Sequence, residues 1–441
     1  MKNSLKNSSK ITALLLLILA SPSCSKESCA YVTDCVEVEP EGYMVATNAD
    51  DGNGNVAVIH HTTFNSNSPI GGDWNDPSLG TGKIVSTNPA NWKSSIIGNV
   101  FGIALDKSFN IYLSATDVYN YDSFAASIFG PGGRCGIYKT NANSLATTTT
   151  LVTTFSGNAW NYILTNRLPN SGVGVGNSIG NIAYDKAHNQ LFVTNLEDGR
   201  IYRLDPTTGN VKSVFDPFSL DIPSNGMVAV GERIWGIGVL TQGGVTEVFF
   251  ARTQVGFNSI WSIKLDASGE FIATPQPLQP NVFNDSAASS KMIIGRIGIQ
   301  DKITDIEFSC TGKMLFAERG DAHNASVFEY EKIGTTWTVT VPFFAGDNFN
   351  TGKSSAGGVD YGARESGGSF TTDDIVWVSQ NYANPANVLY LCYGVQGISS
   401  AGNSASTYGS TDLFIDRSNA TNYKNGIGDV DVFDSSCPCD N

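Results

Sequence analysis

Residues 181–209 read NIAYDKAHNQLFVTNLEDGRIYRLDPTTG, and this stretch decides the fold. It breaks into three short apolar runs, 181–185, 190–194 and 200–204. Turn formers separate them: Asn189 after the first run, Asp198 and Gly199 after the second, Asp205, Pro206 and Gly209 after the third. Apolar residues recurring every second position between Gly, Asp and Asn turns are the signature of antiparallel hairpins.

The same unit recurs along the chain. Run 102–106 leads to 110–113 and, after a delay, to 136–139. Run 233–237 leads to 248–250 and 260–264, closing at Asp266 and Gly269. Run 305–309 leads to 314–317 and 326–330, and run 358–361 to 375–378 and 388–391. A further unit combines 43–46 and 56–59 with 428–432 from the other end of the chain. A small sheet repeated with variable loops cannot bury both faces alone, and stacking around an axis supplies the core. The expectation is an all-β protein, a β-propeller of about six blades. Pairing of its N- and C-terminal strands would leave no open edge. The competing reading is a pair of β-sandwich domains. Irregular inserts are expected at 63–95, 117–134, 274–290 and 396–410, where Gly, Ser, Asn and Pro gather. Long loops in compact domains are often functional.

The chain begins with Lys2, Lys6 and Lys10, then an apolar run from Ile11 to Ala20, then Ser21, Pro22, Ser23 and Cys24. A run of this length is too short to span a bilayer and suits a signal peptide. The order basic, apolar, small, Cys resembles a bacterial lipoprotein signal, which implies lipidation of Cys24. The expected organisation is a signal peptide over 1–23, a tether over 24–41, the propeller over 42–433 and a Cys-containing tail over 434–441. The expected place is the outer membrane or cell surface, with secretion as the alternative. Any membrane contact would be through lipid, and a monomer is expected.

Composition narrows the function. Only 15% of residues are charged, and the net charge is −14. An acidic surface argues against nucleic acid, whose phosphates need basic partners. Export makes disulfides available to the eight cysteines. Cys29 and Cys35 near one end and Cys437 and Cys439 near the other are candidates for tying the chain ends together. Cys135, Cys310 and Cys392 stand isolated in sequence, which assigns them no partner.

Several motifs suggest chemistry and fail on spacing. Gly176, Ser178 and Gly180 fit G-x-S-x-G, but a strand-like run follows the Ser where a nucleophile elbow needs a helix. Residues 346–354 approach a phosphate-binding loop with one residue too many. Asp51, Asn53 and Asn55 alternate as calcium ligands do, but Thr62 occupies the place of the bidentate Glu, so a hairpin turn is the simpler reading. His60 and His61 are neighbours on a strand and point to opposite faces. The polar residues that open the inner strands, Asn181, Asn225, Asp305 and Asp360, would converge on a central channel and hold Ca2+, another divalent cation or a polar ligand. The plainer reading makes them turn caps.

Runs such as Ile182-Ala183-Tyr184-Asp185 and Ile201-Tyr202-Arg203-Leu204-Asp205 resemble NHL and SMP-30/gluconolactonase-like propellers. That resemblance implies a metal-ligand role for Asn225, although the N-terminal Glu ligand of those proteins has no match here. Segments 231–238, 304–309, 311–319, 355–361 and 427–431 are similar to an uncharacterised family of propeller-like regions in bacterial surface proteins, often followed by SdrD B-like repeats. That family implies surface display and no known reaction. The functional expectation is a non-catalytic binding propeller for a glycan, a surface protein or an ion. Trp74, Trp92 and Trp160 are candidate surface aromatics. The alternative is a metal-dependent lactonase working in the channel. A glycosidase or lyase would need paired carboxylates that sequence spacing cannot show.

Overall fold

The computed structural model describes residues 43–48, 56–61, 85–87, 91–116, 130–142, 150–154, 179–217, 228, 232–254, 257–276, 279–285, 289–297, 301–320, 324–346, 352–366, 369–383, 392–403, 413–416 and 427–433. Cys24, Cys29, Cys35, Asp51, Asn53, Asn55, Trp74, Trp160, Asn225, Cys437 and Cys439 lie outside the described residues. Those that are described are overwhelmingly strand. A four-residue helix, α1 (Ser94–Ile97), precedes β4. No helix among the described residues is long and apolar enough to cross a membrane.

The strands form antiparallel sheets that follow the chain. β1 (Tyr43–Asn48), β2 (Ala57–His61) and β3 (Val85–Thr87) pair in order. β4 (Val100–Leu105), β5 (Asn110–Ala115), β6 (Gly136–Asn141) and β7 (Thr150–Thr154) form the next sheet. β8 (Ile179–Asp185), β9 (Gln190–Asn195), β10 (Arg200–Leu204) and β11 (Val211–Asp216) form another. β12 (Ile234–Gln242), β13 (Val245–Gln254) and β14 (Phe257–Lys264) continue the pattern, and β17 (Lys291–Ile297) completes their sheet. Between them, β15 (Thr274–Gln276) and β16 (Gln279–Asn284) leave the sheet, and β16 pairs in parallel with β11. β18 (Lys302–Phe308), β19 (Met314–Arg319), β20 (Val327–Ile333) and β21 (Thr336–Phe343) follow. β22 (Ser355–Ser366), β23 (Ser369–Ala383), β24 (Cys392–Ser399) and β25 (Leu413–Asp416) join them through the single pair Arg319–Ala356. Last, β26 (Ile427–Val432) pairs antiparallel with β1, with Val45 opposite Asp431.

Turn chemistry explains the hairpins. The Asp185 carboxylate accepts the Ala187 N–H at 2.9 Å, and Asp106 accepts those of Ser108 and Asn110 at 2.8 and 2.9 Å. Asp266 does the same for Ser268 and Glu270, and Gly269 closes that turn at φ 75°. Such side-chain acceptors stand in for the backbone partner a tight turn lacks.

Apolar faces of successive sheets meet. Ile182 and Leu191 pack on Ala104 and Tyr112, while Phe192 and Phe215 pack on Ile234 and Phe250. Phe249 and Ile260 meet Ile306 and Phe316, and Leu315 and Val327 meet Val359 and Val376. Val45 and Ile59 meet Ile103 and Leu113. The first strands lie side by side in one series: β4 against β8, β8 against β12, β12 against β18, β18 against β22, β22 against β26, and β26 against β4. Residues on β4 and β9 are almost all buried, whereas β20 ends in three exposed residues.

Three expectations need correction. Residues 274–290 are not a plain insert, since β15 and β16 extend a neighbouring sheet from it. The third strand of the last unit is β24, beginning at Cys392, so it starts after 388–391 and takes Gln396–Ser399 out of the expected loop. Trp92 is no surface aromatic: it is fully buried, and its Nε1 donates to Thr140 Oγ1 at 3.2 Å. Cys310 is disulfide-bonded.

Candidate functional site

Two levels of side chains occupy the line where the first strands meet. Equivalent positions on those strands are marked by a hydroxyl on the adjoining strand that accepts the backbone N–H. Ser114 accepts from Gly102, Thr194 from Asn181, Ser379 from Gly358 and Thr47 from Asp429, at 2.8–3.1 Å. With Gly236 on β12 and Asp305 on β18, one level therefore reads Gly102, Asn181, Gly236, Asp305, Gly358, Asp429. Polar residues and glycines alternate around it. Two residues further along a strand the side chain returns to the same face. The second level therefore reads Ala104, Ala183, Gly238, Glu307, Asp360, Asp431.

The upper level is a set of stitches. Asp305 Oδ1 accepts the N–H of Ile306 at 3.0 Å, and its Oδ2 accepts that of Val359 on β22 at 2.8 Å. Asp429 repeats this, taking the Val430 N–H at 3.1 Å and the Ile103 N–H on β4 at 3.0 Å. Asn181 takes the Ile182 N–H at 2.7 Å and donates from Nδ2 to Thr304 O and Asp305 Oδ1, both at 3.0 Å. Asp360, one level down, accepts from Tyr361 and from Val432 on β26, at 2.7 and 2.6 Å. Each carboxylate thus satisfies a backbone donor on its own strand and one on the next.

Of the sequence-predicted residues, Asn181 and Asp305 are brought into direct contact, and Asp360 lies on the lower level. They do not cap turns; Asp106, Asp185 and Asp266 do. Sequence reading missed Asp429, Glu307 and Asp431 as site residues. The signal was present as acids two apart on buried strands, Asp305 with Glu307 and Asp429 with Asp431.

Burial raises every carboxyl in the cluster. Asp305 is pushed up to about 7 by burial, tempered by its hydrogen bond with Asp429. Asp431 rises to about 6 by burial, tempered by its contact with Asp360 and by Lys186. Asp360, Asp429 and Glu307 all lie well above the ordinary carboxylate range, because desolvation and neighbouring carboxylates both oppose ionisation. The pairs Asp305–Asp429 and Asp360–Asp431 are the arrangement in which two acids share a proton.

The two ends of this line differ. Where the first strands begin, Phe101 and Trp235 meet edge to face at 5.2 Å, packed with Leu196, and the Arg319 guanidinium lies 5.7 Å over the Phe101 ring. Asn181, Asp305 and Asp429 beneath them are at most 2% exposed. At the lower level, Glu307 and Asp431 retain partial exposure. The Glu307 carboxylate makes no hydrogen bond among the described residues. Among those residues no three His, Cys, Asp or Glu side chains stand as a metal-holding group.

The Trp235 indole N–H is buried with no partner among the described residues. A buried unsatisfied donor costs about 1–3 kcal/mol. Trp235→Phe removes that penalty along with some packing, so the two effects oppose. The urea midpoint is expected to fall by less than the equivalent of about 1.5 kcal/mol, against roughly 3–5 kcal/mol for Trp235→Ala.

A cavity of about 340 Å³ opens elsewhere, between the tips of β12–β13, β18–β19 and β20–β21. Gln242, Thr311, Gly312, Glu331, Lys332 and Gly334 line it. Donors and acceptors of both charges face the same space, next to the half-buried Gly312 and the exposed Gly334.

No protein-family model matches the chain. No curated protein matches it either. Solved structures do. The Dos1 propeller is similar with a TM-score of 0.35 at 11% identity, over 69% of this chain and 59% of that one, so the present chain spans less than two thirds of it. A protein of unknown function from Bacteroides caccae is similar with a TM-score of 0.40 at 8% identity, over 89% and 98% of the two chains. A gluconolactonase from Xanthomonas campestris is similar with a TM-score of 0.35 at 10% identity, over 70% and 75%.

Proposed function

We propose that this chain is an exported propeller that binds a ligand without transforming it. Its six blades are the four-stranded sets described above, and the pairing of β26 with β1 closes the ring. Lipidation at Cys24 would hold it at the cell surface as a monomer. The observation that carries the non-catalytic reading is the state of the axis. Asn181, Asp305 and Asp429 are buried beneath Phe101 and Trp235, and their polar atoms hold neighbouring strands. Side chains committed to bonds between strands are not free to hold a metal or a substrate in the channel.

Binding then falls to the faces of the disc, where the polar cavity beside Gln242 supports a glycan as ligand class. Its volume accommodates one pyranose ring. Gln242, Thr311, Glu331 and Lys332 offer the mixed donors and acceptors that vicinal hydroxyls require. The test is saturation-transfer NMR on the full chain with methyl α- and β-glycosides of glucose, galactose, mannose and N-acetylglucosamine. At least one is expected to receive saturation, and Gln242→Ala is expected to weaken it. Transfer to none of them would reject the glycan. Hydrolysis of gluconolactone that a chelator abolishes would replace the binding reading with the lactonase one.

A further inference from the structure

Five carboxyl groups meet around β26, and two pairings leave one over. Asp305 of β18 faces Asp429 of β26, and Asp360 of β22 faces Asp431 of β26. Glu307, two residues along from Asp305, interacts electrostatically with all four and hydrogen-bonds with none. The other strands at this point bring no counter-charge. β4 presents Gly102 and Ala104, β8 presents Asn181 and Ala183, β12 presents Gly236 and Gly238, and β1 presents Thr47. Lys186, in the β8–β9 turn, acts on Asp431 from the exposed end. Arg319 stands at the opposite end, donating to the Ile427 carbonyl at 2.6 Å. Tyr361 stays a neutral phenol, its hydroxyl turned to Glu329 at 2.8 Å.

The same carboxyls hold β26 in place. Asp429 takes the Ile103 N–H from β4, and Asp360 takes the Val432 N–H from β26 itself. Charge added to this cluster therefore acts on the bonds that seat the strand. We infer that β26 is a pH-controlled latch: loss of the Glu307 proton loosens the strand from β4 and β22, and its return seats the strand again. The change is one proton moving from the Glu307 carboxyl to solvent, which adds one negative charge to the cluster. Partial exposure of Glu307 gives that proton a path out. The inference rests on the contacts of β26 alone and stands apart from the proposed glycan binding.

Hydrogen exchange on the full chain tests it. The amides of Ile103, Val430 and Val432 donate to the cluster, and those of Phe250 and Ala251 lie on β13, away from it. After correction for intrinsic rates, protection at the first set is expected to fall about tenfold or more between pH 5 and pH 8, the equivalent of one unit of pKa difference. The β13 amides are expected to stay level. Glu307→Gln keeps shape and removes the charge without deleting any of these stitches, so its protection at Ile103 and Val432 should fall clearly less than in wild type across that range, with Asp305 and Asp431 still titrating. Asp431→Asn serves as a second variant should Glu307→Gln fold poorly, and it is expected to reduce the fall as well. Equal pH dependence in both sets of amides overturns the latch. So does a folded Glu307→Gln or Asp431→Asn variant that keeps the wild-type profile.

Discussion

Asp429→Ala is expected to lower unfolding stability by about 4 kcal/mol at pH 6. The substitution strips the acceptor from two backbone donors, Ile103 N–H and Val430 N–H, bonded at 3.0 and 3.1 Å. Both residues are buried, at 1–2% exposure, so water does not replace the lost partner. Each orphaned donor costs roughly 1–3 kcal/mol. One effect opposes this: removing a carboxyl relieves its crowding with Asp305. That relief is limited, because burial and the neighbouring carboxylates already favour the neutral form of Asp429. Domains are stable by about 5–15 kcal/mol, so a loss of this size is a large fraction of the whole. Asp429→Asn retains one acceptor and should lose about half as much. Urea unfolding read from the midpoint, with unchanged slope, measures both. A loss below about 1 kcal/mol for Asp429→Ala would mean the carboxyl does not seat β26.

The pH dependence of stability has a sign set by the same groups. Their folded-state proton affinity exceeds that of ordinary carboxyls, so the folded chain binds more protons than the unfolded one between about pH 4 and pH 7. Stability from these groups is therefore complete at the acid end of that window and declines as pH rises through it. Glu307→Gln should gain on wild type as pH increases from 5 to 8, which thermal melts of the two proteins resolve without knowledge of the remaining titrations.

Much of the fold was legible because it is written locally. Asp185 and Asp266 mark tight turns within four residues of the bonds they make, and alternation within 190–194 marks a strand on its own. The pairing of 428–432 with the N-terminal run was legible from a leftover strand at each end. The fourth strands were not. β7 is a Thr-rich run and β3 has three residues, so neither carries the apolar alternation that distinguishes a strand from a loop. The axis was half legible. Asn181 and Asp305 stood out as polar residues opening apolar runs, but local reasoning offers turn capping as their use. Their real partners are remote: Asn181 donates to Asp305, 124 residues on, and Asp305 accepts from Val359, 54 residues on. Glu307 and Asp431 were passed over because an acid within a buried strand contradicts the hydrophobic pattern unless something compensates. The compensation, a neighbouring carboxyl and a backbone donor from another sheet, exists only after the sheets have packed together. Trp92 failed for the related reason that an indole carries no local mark of whether it faces loop or core.

Gly358→Ala is expected to be nearly as damaging as the loss of Asp429, by a different route. A Cβ at this position would lie 2.5 Å from Val430 N, 2.6 Å from Asp429 Cα and 2.7 Å from Asp429 C. All three are backbone atoms of β26, so no side chain can turn aside to make room. The strand itself must move, and its stitches to β4 and β22 move with it. Overpacking typically costs 1–3 kcal/mol, and a contact with nothing flexible to yield belongs at or above about 3 kcal/mol. Conformation plays no part, because Gly358 is not among the residues with positive φ. Gly334→Ala is the matched control. Its added Cβ meets nothing within 4 Å, while its φ of 65° strains any larger residue, a cost of roughly 1–2 kcal/mol. Comparing the two urea midpoints separates close approach from backbone strain. If Gly358→Ala proves no worse than Gly334→Ala, β22 and β26 are not in the tight contact that the stitching of the axis requires. If it is clearly worse, and exchange at Val430 and Val432 rises with it, the glycines alternating with Asn181, Asp305 and Asp429 are what let the carboxyls reach the neighbouring strand at all.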